Sequence, residues 1–323
     1  MSKTLYAKLI ANTGAGQVKK DADLVGKVAR RLMDGGLHVD VALSHPIKNA
    51  RRAAEKAVKD RYDIIIGMGG DGTIGAVIRG MVGSKARLGV IAAGTENDFA
   101  HSLGIPDDTM AACDLILAGK TRSVDLGRLR TKETKRFDFF MVTAIGVIAT
   151  VYPMLKNVPE GDYSGLKDAL KTFFNFETTP KVYLTMDDQA EVEFETMLVT
   201  ITNTPLIGLN NLVAPDASME DGLLDVAVYP GFSKADLIAY FARTAKENSA
   251  ADDNVQRFRV KKLKVRSEPK LDIGAEGILM GNGKAWIKAL PGAIRVLAPE
   301  PGTGTEKPVE ETVAKAPEKA VAV

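Results

Sequence analysis

Seven consecutive residues limit the fold of this chain more than any others: Gly67-Met68-Gly69-Gly70-Asp71-Gly72-Thr73. The run before them, YDIIIGM, has the length and β-branched content of a strand buried on both faces. The run after them, Ile74 to Val82, has a helical period. A glycine-rich turn at a strand-to-helix junction lets backbone N–H groups approach an anion without Cβ clashes, with the positive end of a helix behind them. Thr73 adds a hydroxyl. Asp71 adds a carboxylate able to hold Mg²⁺ beside phosphate oxygens. A plain tight turn would also use glycines, but an acid next to phosphates is costly unless a cation lies between them.

The same alternation runs from Leu5 to about Asp125. LYAKLIAN, LHVDVAL and RLGVIAA read as strands, and Asp23 to Gly35 and Ala50 to Lys59 as helices. Strands alternating with helices predict a doubly wound α/β domain with a parallel sheet. Its strands end in further polar loops, Asn12-Thr13-Gly14-Ala15-Gly16 and Gly94-Thr95-Glu96-Asn97-Asp98-Phe99. Ligands bind outside the carboxyl ends of such strands, so three loops on one edge argue for a nucleotide site better than any one alone. No Gly-Lys-Ser/Thr follows, so this is not a Walker loop, and G-x-G-x-x-G is absent too.

After Asp125 most segments are strand-like, interrupted by two expected helices, Ser164 to Phe174 and Lys234 to Asn248. Residues 126–299 therefore predict a β-rich, sandwich-like domain, with a final strand near 293–298 able to pack back onto the first. Residues 300–323 are rich in Pro, Ala, Glu, Lys and Val and lack aromatics, which predicts a disordered tail. With 43 basic and 41 acidic residues the net charge is +2, giving no drive towards nucleic acid. The single cysteine, Cys113, excludes an internal disulfide framework and reads as a buried small hydrophobe in a helix-like stretch. The longest uncharged run, Phe139 to Leu155, is short of the ~20 residues a spanning helix needs, and no targeting signal is visible.

GGDGT, GTENDFAHSLGIP, SVDLG and APDASMEDGLLDV occur in that order, and with them the chain resembles the diacylglycerol kinase catalytic-domain family of bacterial lipid kinases, relatives of sphingosine and ceramide kinases. The resemblance implies a Rossmann-like first domain, of the kind NAD kinases and phosphofructokinases share, over residues 1–125, and a lipid-substrate domain over 126–299. It implies an ATP- and Mg²⁺-dependent kinase transferring the γ-phosphate to a lipid hydroxyl. Asn12, Thr13, Gly14, Ala15, Gly16, Ser44, Gly69, Gly70, Asp71, Gly72, Thr73, Thr95 and Asn97 are expected along ATP. Asp71, Asp98 and Asp125 match the family's essential acids, with Asp71 and Asp98 at the ATP-bound metal. A second, structural Mg²⁺ would fall to Asp221 and the carbonyl of Leu224. A cytoplasmic protein visiting the inner membrane surface, and a homodimer, are also implied.

The chain departs from the family pattern in several places. Where a polar pair usually follows GGDGT, it has Gly75-Ala76. His101 replaces an arginine, and Thr13 a proline. The glutamate of the family's DGE motif, the proposed base, aligns with Ile278, and Glu276 stands where the aspartate usually is. Glu276 is expected to serve as base through a small loop shift. Two other readings compete with lipid kinase: a soluble-substrate kinase such as an NAD kinase, and a catalytically weak nucleotide- or lipid-binding homologue. Leu166, Leu170, Phe173 and Phe174 share a helical face that reads as core, with a lipid groove as the minority reading. Lys262, Lys264 and Arg266 alternate on a strand face that reads as solvated, or as membrane-facing.

Overall fold

The computed structural model describes residues 4–45, 48–156, 164–176, 179–207, 211–247 and 250–301. The expected tail falls almost wholly outside these residues.

Short apolar runs and amphipathic segments fold as their periods require. Strand β1 (Tyr6–Asn12) is followed by helices α1 (Gly16–Lys20) and α2 (Leu24–Asp34), then β2 (His38–Ser44), α3 (Lys48–Lys59) and β3 (Ile64–Gly69). Next come α4 (Asp71–Met81), β4 (Arg87–Ala92), α5 (Asp98–Ser102) and α6 (Thr109–Ala118). The strands lie side by side in the order β2-β1-β3-β4, all parallel. Successive strand residues face opposite layers. Ile65 and Leu88 meet Ala54, Ala57 and Val77 of α3 and α4, whereas Ile64 and Ile66 meet Val28, Leu32 and Ile116 of α2 and α6. The sheet is thus doubly wound. Cys113 is buried in the second layer, and burial pushes its thiol up to about 11.

Helix α4 starts three residues earlier than its apolar period indicates. The carbonyl of Gly70 accepts from the N–H groups of Thr73 (2.8 Å) and Ile74 (3.1 Å), which puts Asp71, Gly72 and Thr73 in the first turn.

The first sheet continues into the second half of the molecule through β5 (Thr121–Thr131). After it come β6 (Phe137–Phe139), β7 (Val142–Gly146), α7 (Val147–Lys156), α8 (Ser164–Asn175), β8 (Lys181–Met186), β9 (Glu191–Glu195) and β10 (Leu198–Thr202). The short pair β11 (Leu206–Ile207) and β12 (Asn211–Leu212) precedes β13 (Leu224–Val228), α9 (Lys234–Glu247) and β14 (Gln256–Val260). The chain ends with β15 (Lys262–Glu268), β16 (Asp272–Ala275), β17 (Ile278–Asn282) and β18 (Lys284–Leu297). β18 runs antiparallel to β15 at its start and parallel to β4 at its end, with Arg295 opposite Arg87 and Val296 opposite Leu88.

A second sheet, β14-β13-β10-β7-β16-β17, packs on the far part of the first. Leu184, Leu263, Val265 and Ile287 from one sheet meet Ile145, Ile201, Val226 and Ile273 from the other, forming a β sandwich. The other face of the second sheet is covered by α7, α8 and α9, where Val151, Ala169, Phe173 and Leu237 surround Tyr229. Helix α7 was not expected: the sequence reads as two helices in this half, and among the described residues there are three. No charge punctuates the run from Phe139 to Leu155 to reveal a polar face, and Pro153, which ordinarily breaks a helix, sits inside this one.

On β15, Leu263 and Val265 point inward and the basic residues outward, but the basic face is neutralised. Lys262 and Lys264 both bond Asp188 (3.1 Å each), while Arg266 pairs with Glu191 (2.6 Å) and Glu268 (2.9 Å). Core and surface should therefore respond very differently to truncation. Ile65→Ala, in the middle of the parallel sheet, is expected to cost ~2–5 kcal/mol. Lys264→Ala is expected to cost at most ~1 kcal/mol. Urea unfolding of the two variants against the parent checks the contrast.

Candidate active site

Parallel strands deliver their following loops to one edge, and here the loops are joined. Asn12 Nδ2 donates to Thr73 Oγ1 at 3.0 Å, tying the loop after β1 to the first turn of α4. Asn12 Oδ1 accepts from Gly14 N–H (2.9 Å), and the Ala15 N–H donates to the Asn12 carbonyl (3.0 Å). Gln17 N–H reaches the Ala93 carbonyl (3.2 Å), which links the loop after β1 to the loop after β4. Ser44 is buried at the neighbouring strand end, donating to the Ala11 carbonyl (3.4 Å). Backbone meets backbone where the loops after β3 and β4 cross: a Cβ on Gly94 would lie 2.4 Å from Gly70 Cα. Only glycine fits that approach. Thr13, Gly16, Gly72 and Thr95 stand exposed on this rim, and Gly69, which ends β3, is buried beside Thr73.

Asp71 is held by the helix opposite it. Its Oδ1 accepts from Phe99 N–H (3.1 Å) and its Oδ2 from Asp98 N–H (3.2 Å), the first two amides of α5. The N-cap residue of α5, Asn97, makes no cap bond of its own. Its side chain turns back to Gly94, accepting from the N–H at 3.0 Å. Asp71 thus caps α5 from another element, and a carboxylate suits helix amides there. Burial raises the Asp71 pKa, the Phe99 amide opposes this, and the charge of Asp98 adds to the rise.

The two acids are joined by a third. Ligand oxygens of Asp71, Glu96 and Asp98 all lie within 4.8 Å of one another, the one such group among the described residues. Three carboxylates at this spacing are hard oxygen donors fitted to Mg²⁺. Glu96 was not singled out from sequence, although it lies two residues from Asp98.

Glu276 is brought to the same region by a series of contacts. It sits with Gly277 in the two-residue turn between β16 and β17, both with positive φ (54° and 71°), the pattern of a type I′ hairpin. Glutamate is unusual there, and the cost is offset by its carboxylate. Oε1 accepts from the N–H groups of Phe140 (3.3 Å), Met141 (3.0 Å) and Val142 (3.3 Å). The Phe140 ring meets the Phe99 ring edge-on at 5.1 Å, next to the amide that holds Asp71. Burial raises the Glu276 pKa, opposed first by the charge of Arg79 and then by the three amides. Ile278, which aligns with the family's base, is exposed.

Gly75 is explained by the same ring. A Cβ there would lie 2.4 Å from Phe140 Cε1, so the missing polar side chain makes room for Phe140. Tyr152 of α7 is a further residue unseen in the sequence. Its phenol is pushed up to about 12, first by burial and then by the charges of Glu96, Asp98, Asp71 and Glu276.

Three expected site residues are arranged differently. Asp125 lies outside the acidic cluster, with Oδ1 accepting from Gly292 N–H and Oδ2 from Gly222 N–H, both at 2.6 Å. It ties β5 to the bend of β18. Asp221 is met by the guanidinium of Arg259, which also reaches Asp225 at 3.5 Å, and Leu224 is buried where β13 starts, opposite Val260. His101 pairs with Asp107 (2.8 Å) on the outer side of α5.

A parallel sheet with joined strand-end loops and clustered carboxylates, carried beside a β sandwich, defines a two-domain α/β protein with a Rossmann-like first domain. Residues 6–129 match the diacylglycerol kinase catalytic domain, and residues 156–298 match the YegS C-terminal NAD kinase beta sandwich-like domain. The chain belongs to the diacylglycerol kinase catalytic-domain family, a family of lipid kinases. It is 29% identical over 293 residues to a diacylglycerol kinase of Mycobacterium tuberculosis (strain ATCC 25618 / H37Rv), covering 90% of this chain and 93% of that one. It is 27% identical over 283 residues to a diacylglycerol kinase of Bacillus subtilis (strain 168), covering 84% and 89%. The crystal structure of a diacylglycerol kinase from Bacillus anthracis str. Sterne has the same fold, with a TM-score of 0.73, 20% identity and coverage of 93% of this chain and 99% of that one.

The role given to Phe140 has a direct consequence. Gly75→Ala is expected to displace the ring, destabilise the protein by ~1–3 kcal/mol as overpacked cores do, and lower phosphoryl transfer through the shifted Glu276 anchors. Urea unfolding and a steady-state assay on the same preparation check both effects.

Proposed function

We propose that this protein is an ATP- and Mg²⁺-dependent kinase that transfers the γ-phosphate to the hydroxyl of a diacylglycerol-like lipid. The observation that carries this reading is the convergence of three strand-end loops on a cluster formed by Asp71, Glu96 and Asp98. Backbone amides of the Asn12–Gly16 and Gly69–Thr73 loops, with Thr73 and Thr95 hydroxyls beside them, suit a polyphosphate. Mg²⁺ held by Asp71, Glu96 and Asp98 would neutralise phosphate charge as the P–O bond breaks.

The remaining work falls to the chain's own groups. The acceptor hydroxyl attacks phosphorus, its proton passes to Glu276, and ADP leaves. Anchoring Oε1 on three amides fixes the carboxylate plane that takes the proton. Tyr152, on the helix packed against the β16–β17 hairpin that carries Glu276, would orient the acceptor. Apolar surface on α7 and β17 suits the glyceride portion of the substrate. Asp125 contributes by holding β5 against β18, and Asp221 by pairing with Arg259. Action at the membrane surface fits such a substrate, and among the described residues no helix is long and apolar enough to cross a membrane.

The test is phosphate transfer from Mg-ATP to a panel of lipids in micelles, beside NAD and beside no acceptor. Transfer to NAD alone, or ATP binding with no transfer, would overturn the reading. Asp71→Asn, which keeps an acceptor for the α5 amides, is expected to lower transfer by at least ~10²–10³-fold with an unchanged near-UV spectrum. Activity close to the parent's would remove Asp71 from the metal site. Because burial raises the Glu276 pKa, kcat/KM is expected to fall on acidification at a pH above the ordinary carboxylate range, as the base is protonated. Glu276→Gln should slow transfer by ~10²–10⁴-fold and erase that acidic limb. A limb that persists in the glutamine variant would assign it to another group.

A further inference from the structure

Glu276 faces a cation that no step of the transfer employs. Arg79 lies in the last turn of α4, the helix that begins with Asp71. Its guanidinium stacks on the Phe137 ring, with 4.8 Å between Cζ and the ring centroid. Its Nη1 and the Phe140 ring crowd one point: a Cβ on Gly75 would lie 3.1 Å from Nη1 and 2.4 Å from Phe140 Cε1. The space left by Gly75 is thus shared by ring and guanidinium. Arg79 lies against the segment from Phe137 to Phe140, which leads into the amides that hold the glutamate.

An arginine in such a place needs a counter-charge. Nη1 is buried and, among the described residues, has no hydrogen-bond partner. Burial disfavours the charge of Arg79, Glu276 supports it most, Arg51 of α3 opposes it, and Asp138 supports it least. Asp138 is already matched by Arg128 and Arg136, both at 2.6 Å, and Arg51 by Glu55 at 2.9 Å. That leaves Glu276 as the acid to balance Arg79. Seen from the glutamate, the charged and titratable groups that face it are Arg79 from α4 and the Tyr152 phenol from α7. The segment Phe140–Val142 brings amides alone, and β17 brings Ile278 and Leu279. A ring face attracts a guanidinium without occupying its donors, so the charge stays available to the carboxylate.

We propose that Arg79 is the positioning residue of the base: held on Phe137 beside Phe140, its guanidinium supplies the counter-charge that keeps the Glu276 carboxylate ionised until the acceptor hydroxyl gives up its proton. This deepens the lipid-kinase reading and rests on it for the proton transfer, whereas the pairing of the two charges needs no catalysis. A buried carboxylate close to other acids would otherwise hold a proton of its own and could not take another. The proton moves from the acceptor oxygen to the glutamate as that oxygen bonds phosphorus, and ADP departs with the bridging oxygen. Arg79 gives and takes no proton, since a guanidinium stays charged throughout.

The test uses the full chain carrying carbon-13 at its glutamate carboxyls, titrated by NMR without nucleotide or lipid, with Glu276→Gln identifying the resonance. The Glu276 midpoint is expected to rise by about one pH unit or more in Arg79→Met, which keeps the stem and loses the charge, and to return towards the parent's in Arg79→Lys. Arg79→Gln, a second uncharged variant, should behave as the methionine one does. The acidic limb of kcat/KM for transfer to diacylglycerol should move to higher pH by the same amount in both uncharged variants. At a pH on the parent's limb this reads as a roughly tenfold loss that raising the pH restores. A merely structural role would lower the rate at every pH and leave the limb in place. An unmoved midpoint in the uncharged variants would overturn the proposal, as would a lysine variant that titrates like them. A midpoint that moves while the limb stays, or while no transfer to lipid occurs at all, would overturn Glu276 as the base of a lipid kinase and leave the charge pair standing.

Discussion

The contact on which the site depends is the carboxylate of Asp71 set against the first amides of α5. A short helix with an N-cap that turns away from it has unsatisfied N–H groups. A carboxylate in a buried loop has a charge to be met. Each supplies what the other lacks, and both are fixed in place. The arrangement brings Asp98 and Glu96 beside Asp71 without any of the three leaving its own loop. The repulsion this creates is the electrostatic condition a divalent ion relieves, so the rim is built with a deficit of positive charge.

The second half of the molecule reaches this rim through one aromatic ring. Phe140 lies between Gly75 of α4 and Phe99 of α5, and its amide is one of three that hold Glu276. The acids from the parallel sheet and the glutamate from the sandwich therefore share a support. β18 provides the other connection: one strand pairs with β15 in the sandwich and β4 in the parallel sheet. Its register along β5 shifts between Leu290 and Ile294, around Pro291 and Gly292. Proline donates no ladder bond, so the strand can bend there, and Asp125 takes the Gly292 amide released by the bend.

What could be read in the sequence follows from what is local. The strands β1 to β4 and their loops were legible because alternation, glycine and helix period are short-range signals. So Asn12, Thr73, Asp71 and Asp98 could be placed on one edge before any contact was known. Phe140, Tyr152 and Arg79 were not legible, since each matters only through a partner distant in the chain. Helix α7 was hidden because a helix packed on a sheet, on α8 and on a hairpin has few polar positions left to mark its period. Of the stripe on α8 expected in the core, Phe173 is buried and Leu166, Leu170 and Phe174 are exposed: spacing shows which residues share a face, and does not show which way that face points.

The departures from the family pattern divide along the same line. Gly75 and Ala76 look like a loss when read along the helix alone. In the fold, Gly75 is the space that Phe140 occupies, and Phe140 carries an amide to Glu276. Glu276 itself lies two positions before the residue that aligns with the family's base, in a turn where its backbone is disfavoured. Three amides make that position worth its strain, and they come from the segment that Phe140 anchors. The glycine, the ring, the amides and the glutamate fit one another, and the proposed role of Glu276 as base rests on that support.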